Sequence, residues 1–314
     1  MDTEALTTTE ETAITATRHL AADLYQRFIA FCDAKPQTIK AYTVALQAFF
    51  AYLQQNAITR PDTDDIIRYK AAIEKQYKAS TVSLYITACR LFFRWTAQRG
   101  LYPNIADHIK GAKIERDHKR DHLTPAQIKE VFAAIDRTTI TGKRDYAIIA
   151  LMTAAGLRDI EVSRANIEDL RPAGDNTALY IQGKGRDEKE IVIVPAEVEK
   201  AIRDYLYQRG EKDTTAPLFA GTSNRAAGSR LTTRSISRLV KQHFTAAGLS
   251  SDRLTAHSLR HTAITLSLLA GRTAQETQMF ARHKDISTTM IYAHNLEQAA
   301  AKTACGNAVA AAIF

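Results

Sequence analysis

The chain has 314 residues, 45% of them hydrophobic and 24% charged, with 42 Lys and Arg against 34 Asp and Glu for a net charge of +8. That length accommodates two domains with separate cores, since single domains run to ~100–200 residues. The composition argues against a membrane-spanning protein, because no apolar run approaches the ~20 residues that a transmembrane helix needs. It argues equally against a disulfide scaffold, because Cys32, Cys89 and Cys305 are odd in number and far apart. Residues 1–17 hold Asp2, Glu4, Glu10 and Glu11 and no Lys or Arg, so the remainder is more basic than the whole. Such a balance favours a polyanionic partner without proving one. The opening has neither a basic start nor an apolar stretch, which leaves the cytoplasm as the expected compartment.

In chain order, the Thr- and Glu-rich residues 1–17 lack an apolar period and are expected to be a disordered tail. Over 18–105, apolar residues recur at intervals of three and four, as in Leu20, Leu24 and Phe28, then Tyr42, Leu46, Phe49, Phe50 and Leu53, then Val82, Ile86, Leu91, Phe92 and Trp95. Four helices are predicted. Thr63 and Ser80 stand where amino-terminal caps are needed, and Gly100 where a helix ends. Residues 106–121 mix charge signs without a period and are expected to link two domains. The second domain, 122–298, opens at Leu123-Thr124-Pro125, where Thr124 suits a cap and Pro125 a first helical turn. Most of it reads as helical. The exception is 178–182 and 190–194, two β-rich runs joined by Gly183-Lys-Gly-Arg-Asp-Glu-Lys189 as a hairpin. The fold class is therefore mainly α with a small β-sheet (α+β), and the Ala-rich 299–314 is expected to add a short, weakly anchored helix.

Between 229 and 248, Arg230, Arg234, Arg238 and Lys241 recur every three or four residues, while Ile236, Leu239, Val240 and Phe244 fall opposite. This predicts a helix with one basic and one apolar face. A basic face can lie along DNA phosphates or in a major groove, and can equally be a solvated surface.

Three further strings carry chemistry: Ala155-Gly-Leu-Arg-Asp-Ile-Glu161, Ala256-His-Ser-Leu-Arg-His261 and Arg282-His-Lys-Asp-Ile-Ser-Thr-Thr-Met-Ile-Tyr-Ala-His294. His257 precedes Arg260 by three residues, Arg260 precedes His283 by twenty-three, and His283 precedes Tyr292 by nine. Phosphodiester strand transfer without metal needs a nucleophile, cationic donors to the non-bridging oxygens and an acid for the departing 5′ oxygen. Arginine presents a planar fork of donors to phosphate that lysine imitates only as a point charge. His257 and His261 also stand four apart, as a zinc pair does, but the Glu of the zinc-protease helix motif and a third ligand are missing.

These strings and intervals resemble the signature of tyrosine recombinases, the family of phage integrases and Xer-type recombinases. The resemblance implies a helical core-binding domain ahead of a catalytic domain, and a DNA strand transferase that needs neither metal, ATP nor any other cofactor. It casts Arg158 and Arg260 as the phosphate clamp and Tyr292 as the nucleophile that forms a 3′-phosphotyrosine. His257 and His283 would hydrogen-bond phosphate oxygens or move protons. Lys184, in Gly-Lys-Gly at the hairpin tip, would be the general acid, with Lys189 as the alternate, and Glu161 would support the site from behind. The partners implied are double-stranded DNA carrying an inverted-repeat core site and three further copies of the chain, a homotetramer on two duplexes. The tail after 299 would dock on a neighbouring subunit. The short stretch ahead of residue 18 leaves no room for an arm-binding domain, closer to the Xer plan. A type IB topoisomerase-like relaxation enzyme and a DNA-binding protein without cleavage activity are the alternatives. One departure stands out: Ala281-Arg282 occupies the place where the family usually has Leu-Gly. Either the loop is shaped differently or Arg282 serves DNA binding, and it is grouped here with the DNA-binding residues.

Overall fold

The computed structural model describes residues 23–113, 122–183, 188–222 and 227–314. The chain divides into two compact units, Met1–Arg116 and Asp117–Phe314.

The first unit holds four helices, α1 (23–31), α2 (Pro36–Gln55), α3 (Thr63–Glu74) and α4 (Ala79–Gln98). Their apolar stripes bury Phe28, Leu46, Phe49, Ile66, Ile86, Phe92, Phe93 and Trp95 in one core. The rings meet edge-on, Phe28 on Phe92 at 5.4 Å and Phe49 on Phe93 at 5.8 Å between centroids, the arrangement that aromatic quadrupoles favour. The cap of α3 is Asp62 rather than the expected Thr63: its carboxylate accepts from the Asp65 amide while the Asp65 carboxylate accepts from the Asp62 amide. A carboxylate one residue upstream completes the box, so Thr63 becomes the first helical residue. Ser80 likewise lies inside α4, which starts after Lys78 without a side-chain cap. Gly100, just past α4, has φ 65°, a left-handed position suited to a residue without Cβ.

Residues 106–113 pack onto this unit and are not free linker. Ala106 and Ile109 are buried in its core, and the Ser83 hydroxyl donates to the Ala112 carbonyl at 2.9 Å. Two apolar anchors in a charge-mixed string are too few to register as a period. The expected tail at 1–17 and the rest of the linker, 114–121, lie outside the described residues.

The second unit opens with α5 (Pro125–Ala133), where Thr124 and Gln127 form a reciprocal cap and Pro125 takes the first turn. Then come α6 (Ile140–Ala154), α7 (Asp159–Arg164), a three-stranded antiparallel sheet, α8 (Ala196–Arg209), α9 (Thr233–Ala246), α10 (Ala256–Leu269), α11 (Ala274–Ala281) and α12 (Ser287–Ile313). Strands β2 (Asn176–Gln182) and β3 (Lys189–Val194) form the expected hairpin. A third strand, β1 (Leu170–Ala173), pairs with the far edge of β2 in the register Leu170 with Leu179. Four residues that include Pro172 carry no strand signal of their own, and pairing to β2 supplies it. Leu179, Ile181, Val192 and Val194 join the core, whereas Ile191 and Ile193 face outward. Helix α6 runs through the middle, packed against α8 and α10.

The Ala-rich end is not a separate short helix. It continues α12 unbroken from Ser287 to Ile313, and residues 297–314 are exposed along their whole length. Alanine has the highest helix propensity, and the alanines on both sides carry the helix through Gly306 and Asn307. Among the described residues no helix is long and apolar enough to cross a membrane.

Candidate active site

The turn after α6 begins the site. Gly156 has φ 61°, and a Cβ there would meet the Phe280 ring at 3.2 Å, so both conformation and space call for glycine. Two residues on, Arg158 caps α7. Glu161, completely buried in the first turn of α7, accepts from the Arg158 amide at 2.8 Å, from Arg158 Nη1 at 2.7 Å and from Arg282 Nη2 at 2.9 Å. Burial on its own would raise this carboxyl's pKa. The Arg282 charge, the Arg158 amide and the Arg158 charge together outweigh it and hold the group below its ordinary value.

Helix α10 contributes the next group. Thr255 and Ser258 cap its start, His257 lies in its first turn, and Arg260 and His261 follow one turn later. Arg260 is buried and donates to the carbonyls of Gly156 and Ala281, fastening the turn after α6 to the end of α11. Burial, then the nearby Arg158 and Arg282 charges, push its pKa down to about 9. A guanidinium crowded by two others and poorly hydrated is a receptor for an anion.

Between α11 and α12, Arg282 takes φ 54° and ψ 45°, the left-handed conformation. A residue with a Cβ pays ~1 kcal/mol there. His283 follows, with Nδ1 2.9 Å from the Thr289 hydroxyl. Burial and the charges of Arg260, Arg158, Arg282 and His257 depress its pKa to about 4, so the imidazole is neutral at physiological pH. Tyr292, on the second turn of α12, is buried with Ile264 and Ala281. Its Oη lies 2.5 Å from His261 Nδ1, its ring 5.2 Å from the His261 ring and 6.4 Å from that of His283. The ring of His257 stands 4.9 Å from that of His261.

Arg158, Glu161, His257, Arg260, His283 and Tyr292 thus come together from four separated segments. Lys184 lies outside the described residues. The alternate Lys189 sits at the base of the hairpin, its ammonium bonded to the buried Asp169 carboxylate. That engagement suits a structural tie better than a mobile acid.

The basic set divides. Arg234 and Arg238 are exposed on α9 as expected. Arg230 is not on the helix, which starts at Thr233. It lies in an extended bridge with Ala220 and donates to the carbonyls of Ser163 and Ala165 at 2.9 and 3.2 Å and to Asn166 Oδ1 at 2.5 Å. Thr232 caps the helix and ends the period there. Lys241 reaches the Ser251 and Leu254 carbonyls. Arg282 departs most from its expected place: its side chain is 9% exposed and turned inward onto Glu161. The left-handed backbone aims it that way. The sequence marks His261 only as half of a zinc-like pair; its place on the His257 and Ile264 face of α10 is the signal for a buried role.

Residues 121–299 match the phage integrase family, and residues 11–100 match the phage integrase N-terminal SAM-like domain. A tyrosine recombinase of Synechococcus elongatus is 29% identical over 272 residues, 82% of this chain and 84% of that protein. The tyrosine recombinase XerC of Pelobacter propionicus is 31% identical over 268 residues, 83% and 86% of the two chains. Lambda integrase, crystallised as a tetramer bound to a Holliday junction, shares the fold with a TM-score of 0.69 at 18% identity, over 87% of this chain and 76% of that one. With the family match covering more than half of its length, and with relatives aligned along most of it, the chain belongs to the phage integrase family, the tyrosine recombinases.

Proposed function

We propose that Tyr292 is the nucleophile with which this site-specific recombinase cuts and rejoins DNA. Its Oη bonds to the scissile phosphorus, the P–O5′ bond breaks, and the strand is held as a 3′-phosphotyrosine until a 5′-hydroxyl reverses the step. One ester replaces another, so no external energy source enters. The phenolic proton passes to His261 Nδ1, the acceptor 2.5 Å away. Arg158 and Arg260 hold the non-bridging oxygens, and the phosphate charge offsets the burial and the guanidinium crowding that depress Arg260. His283, neutral and oriented through Thr289, donates a hydrogen bond from its other ring nitrogen, and His257 contributes from the first turn of α10. Lys184 protonates the leaving 5′ oxygen, a role that rests on the resemblance alone.

The observation that carries this reading is the gathering of two arginines, two histidines and one tyrosine around Glu161 and Gly156 from positions 158 to 292. The substrate is double-stranded DNA with an inverted-repeat core site, bound by a tetramer in the cytoplasm, at the nucleoid. The exposed end of α12 is the segment suited to reach a neighbouring subunit. Incubation with nicked suicide DNA tests the assignment: the wild-type protein forms a covalent adduct and Tyr292→Phe forms none. An adduct with Tyr292→Phe would remove Tyr292 from the role.

A further inference from the structure

Arg282 is the residue whose placement the family pattern does not explain. It occupies a left-handed turn between α11 and α12, where a glycine would be unstrained. Its guanidinium donates to Glu161 Oε2 at 2.9 Å and to the carbonyls of Phe280, Gly156 and Ala155 at 3.1, 3.2 and 3.5 Å. Gly156 also accepts from Arg260, and Glu161 also accepts from Arg158. One side chain therefore touches the turn after α6, the first turn of α7 and the end of α11, and shares an acceptor with each arginine of the clamp. No glycine could do this.

We propose that Arg282 is a positioning residue of this recombinase, a cationic bolt that ties the loop carrying Arg158 to the turn carrying His283 and so sets the phosphate site before DNA arrives. The inference rests on the assignment of Arg158 and His283 to that site. Three features favour it over a surface contact. The side chain is 9% exposed, whereas Arg158, the residue it braces, keeps 29% of its side chain exposed. Its fork geometry serves a carboxylate and carbonyls at once, which a lysine ammonium on a flexible stem does not. It also adds a third guanidinium around a single carboxylate. The groups facing His283 are then Arg260 and His257 from α10, Arg158 from the cap of α7, the adjacent Arg282, and the Thr289 hydroxyl and Tyr292 ring from α12, with the Glu161 carboxylate bonded to Arg158 and Arg282 behind them.

The test compares wild type, Arg282→Gly and Arg282→Lys for binding to an intact core site across a salt series, for single-turnover cleavage of nicked suicide DNA, and for the His283 titration midpoint by NMR. Arg282→Gly is expected to bind DNA within about threefold of wild type with the same salt slope, because the guanidinium is taken up by Glu161 and backbone carbonyls and not by a phosphate. Its cleavage is expected to slow by about 10- to 100-fold, as when an outer-shell support is lost. The His283 midpoint rises in Arg282→Gly and rises less in Arg282→Lys, which keeps the charge but cleaves slowly for want of the fork. If Arg282→Gly does not fold, Arg282→Lys carries the comparison. Cleavage at the wild-type rate with an unmoved His283 midpoint overturns the proposal. So does weakened binding with a shallower salt slope, which would make Arg282 a phosphate contact. A wild-type protein that forms no adduct overturns this inference and the assignment of the site together; an adduct formed equally by wild type and both variants overturns only this inference.

Discussion

The two units bury different things. Among the described residues the interior of the helical unit is a cluster of rings and aliphatic side chains with Asp65 as its one buried charge, whereas the catalytic unit buries Glu161, Arg260, Arg144, Asp145 and Asp169 along with its apolar core. Apolar burial is favourable by itself at ~25 cal/mol per Å², but a buried charge is tolerated only where partners replace its hydration. The first interior is built for stability. The second keeps three guanidiniums together, two of them bonded to one carboxylate and the third to backbone carbonyls, an arrangement that a negatively charged ligand would complete.

Substitutions in the two interiors should therefore fail in different ways. The largest effect is expected for Arg260→Ala, which removes the proposed phosphate donor: cleavage of suicide DNA should fall by about 100- to 1000-fold while the helical unit melts as before. Trp95 is the chain's one tryptophan and lies in the helical core, so its fluorescence reads that unit directly. A shift of the Trp95 transition in Arg260→Ala would break the comparison. Phe49→Ala should do the reverse, costing the helical unit about 3–5 kcal/mol in a denaturant titration and leaving the cleavage rate of already bound, folded enzyme unchanged.

A smaller effect is expected from pH. His283 has a folded pKa of about 4, below its ordinary 6.5, so the unfolded chain binds the proton more readily. Stability from keeping this ring neutral is complete above 6.5 and is lost as pH falls toward 4. Glu161, held below its ordinary 4.5, loses its contribution in the same direction at the acid end. Thermal melts from pH 7 to 4 should therefore destabilise the catalytic unit first. Simultaneous loss of the Trp95 signal would argue against separate interiors. Smallest of all, Arg234→Ala and Arg238→Ala should each reduce the salt slope of DNA binding by about one, whereas Arg230→Ala and Lys241→Ala, whose side chains are tied to backbone carbonyls, should act on stability instead.

Much of this was legible in one dimension. The helices of the first unit follow from their apolar spacing, the hairpin from two β-rich runs around glycines, and the gathered residues from three short strings. Local signals run out where a neighbour in space decides. Strand β1 exists because β2 offers an edge, α12 runs through the tail because flanking alanines carry it past Gly306, and Ala106 and Ile109 are claimed by a core that a charge-mixed string does not announce.

The order of residues was enough to determine which groups this protein owns and at what intervals, because helical periods and motif spacings are properties of the chain alone. It could not determine where Arg230, Lys241, His261 and Arg282 point. Helical geometry places Arg260 and His261 only one residue apart, yet the first fastens two carbonyls and the second meets Tyr292. The left-handed turn at 282 sends a cation inward to Glu161, more than a hundred positions away in the chain. Side-chain direction, and the charge that neighbours impose on His283 and Arg260, arise from groups brought close only by folding, so the tertiary structure alone decided them.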